Sequence, residues 1–369
     1  ITKNLGFDFG FLKDRLNVNA DFFIRDTKNM LTYGMTLPAV YGASEPKMNC
    51  ADLRTKGYEL TLGWRDQFNL FGKPFEYNAS VNFYDFLSRI TKYDNPTKLL
   101  SDYYEGMIFG EIWGCQVDGF FQSDAEAASY PVDQSYVNQR IGKSAGEWGH
   151  LRAGDLKYID RNGDGKITFG SRTVDDPGDR YIIGNSSPRF QYGINLGFKY
   201  FGFDVSMFLQ GVGRQQWYPC GDCRAFWGPF ARAYENFVPK NFLDDCWSES
   251  NPNAYFPRPR SYAAYGNTET DEWAELSTPN DKYLQNLAYC RLKNLVIGYT
   301  LPSKVLDKIK CHQIRVYFTG ENLAYICPGL HSKYIDPERA SATASESNGG
   351  KMYIYPWQKS FMFGIDITF

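Results

Sequence analysis

The chain has 369 residues, a formal net charge of −2, 17% aromatic residues (27 Tyr and 28 Phe) and 34 Gly. Near-neutral charge gives no basic footprint for nucleic acid. A mean hydropathy of −0.46, with no apolar run of about 18 residues, excludes a helical membrane protein but not a barrel, whose strands are apolar on one face only.

Period-two alternation runs through the chain in order. It is present from Ile1 onward with no signal peptide before it, so earlier strands are expected upstream. Leu5, Phe7, Phe9 and Phe11 alternate with Asn4, Gly6, Asp8 and Gly10; Leu16, Val18, Ala20, Phe22 and Ile24 alternate with Asn17, Asn19, Asp21, Phe23 and Arg25. Similar stretches cover 57–64, 75–84, 190–200, 203–210, 287–301 and 314–320. At the C-terminus Phe361, Phe363, Ile365, Ile367 and Phe369 share one face, and Met362, Gly364, Asp366 and Thr368 the other. Residues 106–121 also read as β structure, placed inside a loop as an excursion or hairpin because a tenth crossing would break the parity.

Short links are expected at 13–14, 69–73, 200–202 and 302–312, and long ones at about 32–55, 94–188, 213–283 and 327–359. Strict alternation of short and long is the habit of outer-membrane barrels, with short periplasmic turns and long extracellular loops. A soluble sandwich alternates as well, but has no reason to put every long loop at one end. The expected fold is therefore all-β, an antiparallel transmembrane β-barrel, with 1–369 forming part of one barrel domain. Parity gives nine strands here. An open edge at the first strand requires partners, so further strands are expected from an absent N-terminal part.

The clearest short motif is Asp160, Asn162, Asp164, the Lys166 carbonyl and Thr168 in the run DRNGDGKIT. It follows the first nine positions of a Ca²⁺ loop, with oxygen ligands at positions one, three and five around a sharp glycine turn. Position twelve, normally an acid, is Ser171, for which Asp175, Asp176 or Asp179 could substitute. An Asx-rich turn without an ion is the other reading of the same residues. Cys220, Cys223 and Cys246 are expected to include a disulfide on an exposed loop, since zinc would need a second pair. Cys115, Cys290 and Cys327 read as small apolar fillers. Trp217, Trp227, Trp247 and Trp273 stand in an aromatic-rich loop and are candidates for contact with a sugar substrate or a protein lid, or for packing of a large folded loop. No nucleophile–base spacing, metalloprotease motif or phosphate loop is present, and no enzyme is indicated.

The blocks LRTKGYELTLGW (53–64), GNSSPRFQYGINLGFKYFGFDVSMFLQGVG (184–213), YCRLKNLVIGYTLP (289–302), RVYFTGENLAYI (315–326) and KSFMFGIDITF (359–369) resemble SusC-like TonB-dependent transporters. The segment GDLKYIDRNGDGKI resembles one common in that family, which reads as a structural feature. The resemblance implies a 22-stranded barrel, of which this chain would supply the nine C-terminal strands, preceded by a plug that is absent here. It further implies location in the bacterial outer membrane, a SusD-like lipoprotein as lid, TonB acting through the absent N-terminal part, and import of glycan oligosaccharides or similar large nutrients such as peptides. A passive porin, a structural or adhesin barrel, and a soluble carbohydrate-binding sandwich are the competing readings.

Overall fold

A computed structural model describes residues 1–33, 42, 46–139, 150–219, 221, 223–234, 236, 238–266, 273–309, 311–340 and 356–369. Alternation of apolar and polar side chains favours extended backbone, and the strands follow it: β1 (Thr2–Phe11), β2 (Leu16–Tyr33), β3 (Lys47–Leu70) and β4 (Lys73–Lys92) come first. Four short strands follow, β5 (Glu111–Gly114), β6 (Val117–Phe120), β7 (Leu156–Tyr158) and β8 (Tyr181–Asn185). Then come β9 (Arg189–Tyr200), β10 (Phe203–Arg214), β11 (Gln216–Trp217), β12 (Gln285–Asn286), β13 (Tyr289–Thr300), β14 (Gln313–Ile326) and β15 (Ser360–Thr368).

Nine of these form one antiparallel sheet in the order β1-β2-β3-β4-β9-β10-β13-β14-β15. Each sheet strand pairs with the next along the chain, so successive links fall at opposite ends. Links 12–15, 71–72, 201–202 and 301–312 lie at one end; 34–46, 93–188, 215–288 and 327–359 lie at the other. The segment expected as a β excursion does not cross. Its halves are β5 and β6, which pair not with each other but with β8 and β7 of the same link.

The first long link is shorter than its expected 32–55, because β2 and β3 are 18 and 24 residues long. A tilted crossing needs only ~9–11. Together with β4 they project beyond β9 toward the long-link end, and segment 106–109 closes the edge that β4 would otherwise expose. Phe109 N–H donates to the Ser88 carbonyl and Ile90 N–H to that of Met107, both at 2.9 Å.

Among the described residues, no strand of the nine-stranded sheet contributes to the main buried core. That core runs from Cys115 to Ala340 and is drawn wholly from links 93–188, 215–288 and 327–359. The links thus fold together as a module with its own interior.

Candidate functional site

Register converts the sequence alternation into two continuous faces. On one, Phe9, Val18, Leu62 and Val81 lie in line across four strands, continuing to Ile194 and Leu209. On the other, Asp8, Asn19, Thr61, Asn82, Gly193 and Gln210 form the matching rank. The last strand obeys the same rule: Phe361 (62% exposed), Phe363 (83%), Ile365 (64%) and Ile367 (50%) line up with Gly320, Phe318, Val316 and Ile314 on the apolar face.

Two aromatic rows bound that face. Phe22, Tyr58, Phe83 and Phe190 run across β2, β3, β4 and β9 with centroids 6.4, 6.0 and 6.4 Å apart. Toward the short-link end, Phe68 meets Phe75 at 5.2 Å, Phe75 meets Phe198 at 6.2 Å, and Phe203 meets Tyr299 at 4.6 Å. Tyr58 and Phe68 lie on one strand, so the rows are separated by about 33 Å along it at ~3.3 Å per residue. A tilt of about 40° reduces this to a height of about 25 Å, the apolar band of an outer-membrane barrel.

The opposite face is polar and largely self-satisfied. Asn4 Nδ2 donates to Asp21 Oδ1 at 3.1 Å, Asn19 Nδ2 donates to Asp8 Oδ1, Thr61 Oγ1 donates to Asn82 Oδ1 at 3.0 Å, and Tyr84 O–H donates to Gln191 Oε1 at 2.8 Å. Arg315 on β14 reaches over β13 to Asp204 on β10 with bonds of 3.0 and 2.7 Å. Gly298 lies beneath: a Cβ there would meet Asp204 Oδ1 at 2.5 Å and Arg315 Nε at 2.6 Å. Glycine at that position makes room for the ion pair. This face has the chemistry of a watery lumen.

The link module is joined to the sheet by a buried charge cluster. A register shift between Leu292 and Asn294 turns Lys293 out of the ladder toward link 327–359. Lys293 Nζ then lies 2.6 Å from Glu338, while buried Arg291 meets Asp336 at 2.6 Å and Glu338 at 2.7 Å. Inside the module, Asp155 receives two Arg260 bonds of 2.7 Å, and Tyr158 O–H donates to the Glu275 carbonyl at 2.6 Å. The carboxyl of Glu275 accepts the Leu156 N–H through Oε1, while Oε2 has no hydrogen-bond partner among the described residues. Burial, reinforced by the nearby Asp155 charge, pushes Glu275 up to about 8. Sequence reading missed this centre: a lone Glu in a loop carries no periodic signal, and only long-range packing buries it.

The four candidate tryptophans belong mainly to the module interior. Trp227 is fully buried, 4.7 Å from Phe226 and 5.3 Å from Tyr283; Trp217 packs on Phe226 at 6.3 Å, and Trp247 lies over Gly154. Trp273 is half-buried against Phe169 at 4.8 Å. Their burial favours the packing reading over direct contact with a substrate or lid. Exposed rings of the module include Tyr103, Phe109, Tyr234 and Trp357. Of the expected disulfide, Cys220 lies outside the described residues. Cys223 and Cys246 are buried, and burial pushes the Cys246 thiol up to about 12.

The Asp160–Thr168 loop is built as a self-capped turn. Asp160 accepts from Gly163 N–H and Gly165 N–H, both at 2.7 Å, and Asn162 Oδ1 accepts from Asp164 N–H at 3.0 Å. Asp164 Oδ1 accepts from Lys166 N–H at 2.8 Å. Asp179, one of the acids considered as a substitute ligand, instead ties the loop ends by accepting from Arg161 N–H and Thr168 N–H at 2.8 and 2.7 Å. Asn162 Nδ2, a donor, faces Asp164 Oδ2 at 3.1 Å, where a cation would need oxygen. Among the described residues no three His, Cys, Asp or Glu side chains gather as metal ligands. The oxygens of Asp160 and Asp164 thus serve the turn itself by capping its N–H groups.

No family model matches the chain. Among curated relatives, it is 25% identical to the TonB-dependent receptor P3 of Formosa agariphila, covering 99% of this chain and 34% of that protein. It is 23% identical to the TonB-dependent receptor SusC of Bacteroides thetaiotaomicron, covering 100% of this chain and 32% of that one. The chain thus spans about a third of the length of these relatives. Its fold matches the RagAB peptide transporter structure with a TM-score of 0.67 at 20% identity, covering 100% of this chain and 35% of that chain. Two sheet faces of opposite polarity, two aromatic rows a bilayer's apolar thickness apart, and likeness along the whole chain converge: the chain has the fold of a portion of an outer-membrane β-barrel and is similar over its full length to TonB-dependent receptors, SusC among them.

Proposed function

We propose that the full receptor containing this chain imports large nutrients across the outer membrane, with glycan oligosaccharides as cargo. Energy is delivered through TonB, and a SusD-like lipoprotein closes the long-link end, which faces the cell exterior. The carrying observation is the single core shared by three long links at one end of the sheet. A passive pore needs no such folded superstructure at its mouth. Exposed Tyr103, Phe109 and Tyr234 are flat surfaces on which sugar rings or a lid could stack. A peptide cargo is the second reading, favoured by the whole-chain likeness to a structure described as a peptide transporter. A passive porin or adhesin barrel is the alternative from another class.

Growth of a receptor-deletion strain on a panel of glycans and peptides tests the import. Loss of growth on one glycan class, restored by the intact gene, is expected. Loss on peptides alone would replace the cargo, and unimpaired growth on every substrate would remove the import. Purification in mild detergent is expected to bring down a second polypeptide at one-to-one stoichiometry; a receptor always isolated alone would remove the lid.

A further inference from the structure

The aromatic row nearest the long links marks a change in the outer face of the sheet. Below it the outer face carries Phe9, Val18 and Leu62. One outward position above it, the rank reads Lys3, Ile24, Lys56, Leu87, and the next reads Asp26, Arg54, Arg89. The inner face is mixed there, with the polar rank Thr2, Arg25, Thr55 and Ser88 between two apolar spots. Phe23 and Phe86 crowd over Gly57, where a Cβ would meet them at 2.5 and 2.8 Å, and Ile90 is buried. The sheet therefore turns cationic toward the membrane side within one or two outward positions, about 7–13 Å along the strand. That is the depth of lipid headgroups above an aromatic girdle.

Charge is unevenly compensated in this band. Arg54 is held by Asp26 at 2.6 Å, and Arg89 Nη1 donates to the Gly106 carbonyl at 2.9 Å. Lys3 and Lys56 are exposed and have no ion-pair partner among the described residues. They stand two strands apart in one rank, about 10 Å, with only Ile24 between them. Two free ammonium groups at headgroup height, over an apolar face, match a ligand with an anionic head and hydrocarbon tails.

We propose that Lys3 and Lys56, flanked by Arg54, bind the phosphate groups of lipids in the leaflet on the long-link side; this rests on the membrane-barrel reading of the sheet. The full-length receptor would be reconstituted in net-neutral phosphatidylcholine vesicles, with or without a phosphorylated glycolipid, and the glycolipid retained per receptor measured through its sugar after detergent exchange. Wild type should retain the phosphorylated lipid selectively, and Lys3→Gln/Lys56→Gln should lose about fivefold in apparent affinity for each lysine removed. Lys13→Gln/Lys73→Gln, at the short-link turns, should retain it as wild type does. Equal retention by wild type and the Lys3/Lys56 variant overturns the proposal. So does protection against thermal unfolding by inorganic phosphate in neutral vesicles that equals the protection from the lipid, since the site would then be one for a free ion. Failure of wild type to insert even into neutral vesicles would remove the barrel placement itself, an outcome distinguishable from loss of lipid selectivity.

Discussion

Phe363 on β15 leaves 83% of its surface open, whereas Trp227 in link 215–288 leaves none. Both are large apolar side chains, and both sit where apolar surface belongs. The sheet is built to be covered by lipid, so its apolar side chains face outward and its polar ones face each other across a lumen. The link module is built like a soluble domain, with aromatic rings inside and its buried carboxyls held by hydrogen bonds. One chain thus follows two solvents, and the change from one to the other falls at the aromatic row through Tyr58.

The sharpest way to break this comparison is to empty the module core. Trp227→Ala should destabilise the module by about 3–5 kcal/mol. Hydrogen exchange should show the loss in 215–288 and its neighbours while β9 and β10 stay protected. Equal loss in the sheet would mean that module and barrel form one cooperative unit.

Next in size, Ile365→Lys should cost roughly 2–4 kcal/mol in a membrane refolding titration, as a charge on the lipid face near the midplane does. Asp366→Lys, on the lumen face, should cost less, since it exchanges the 3.4 Å contact with Arg315 for a repulsion that water screens at this exposed position. Gly364 is no mild control despite facing the lumen, because the Tyr317 ring lies 2.3 Å from where a Cβ would stand. Equal costs at Ile365 and Asp366 would reverse the assignment of the faces.

A pH-dependent effect follows from Glu275. Unfolded, it ionises near the ordinary glutamate range; folded, it keeps its proton to about 8. The folded module therefore binds more protons between about pH 4.3 and 8, and its stability should fall as pH rises through that window, by no more than about 1.4 kcal/mol per pH unit. Glu275→Gln should flatten the dependence while retaining an acceptor for Leu156. An unchanged slope in the variant would assign it to another group.

The smallest effect is expected at the Asp160–Thr168 loop. With its oxygens already capping its own N–H groups, chelation should shift the module's melting midpoint little, by less than about 0.5 kcal/mol in stability. A clear Ca²⁺-dependent gain would restore the ion to the loop.

The sheet was legible in the sequence because each of its strands touches water on one side and lipid on the other, and that difference writes a period of two. The ends of the link 93–188 could be read from where the pattern stops after Lys92 and resumes at Arg189. The upper halves of β2 and β3 could not. Residues 26–33 and 47–55 lie beyond the apolar band, so no alternation is imposed there, and register shifts at Thr27, Met30 and Leu31 blur what remains. The module was least legible: its aromatics were visible as composition, but which of them are inside depends on partners a hundred residues away, as with Tyr158 and Glu275.

The shared core of the three long links bears on engineering. Ile335 and Ala340 of the last link are buried among residues of the other two, and Cys115 of the first exchanges backbone bonds with Pro279 and Asp281 of the second. Grafting a single link from another receptor would leave unmatched apolar surface on the two that stay behind. Retargeting such a receptor would call for transplanting 93–188, 215–288 and 327–359 as a set, with Arg291 and Lys293 kept as the socket that receives Asp336 and Glu338.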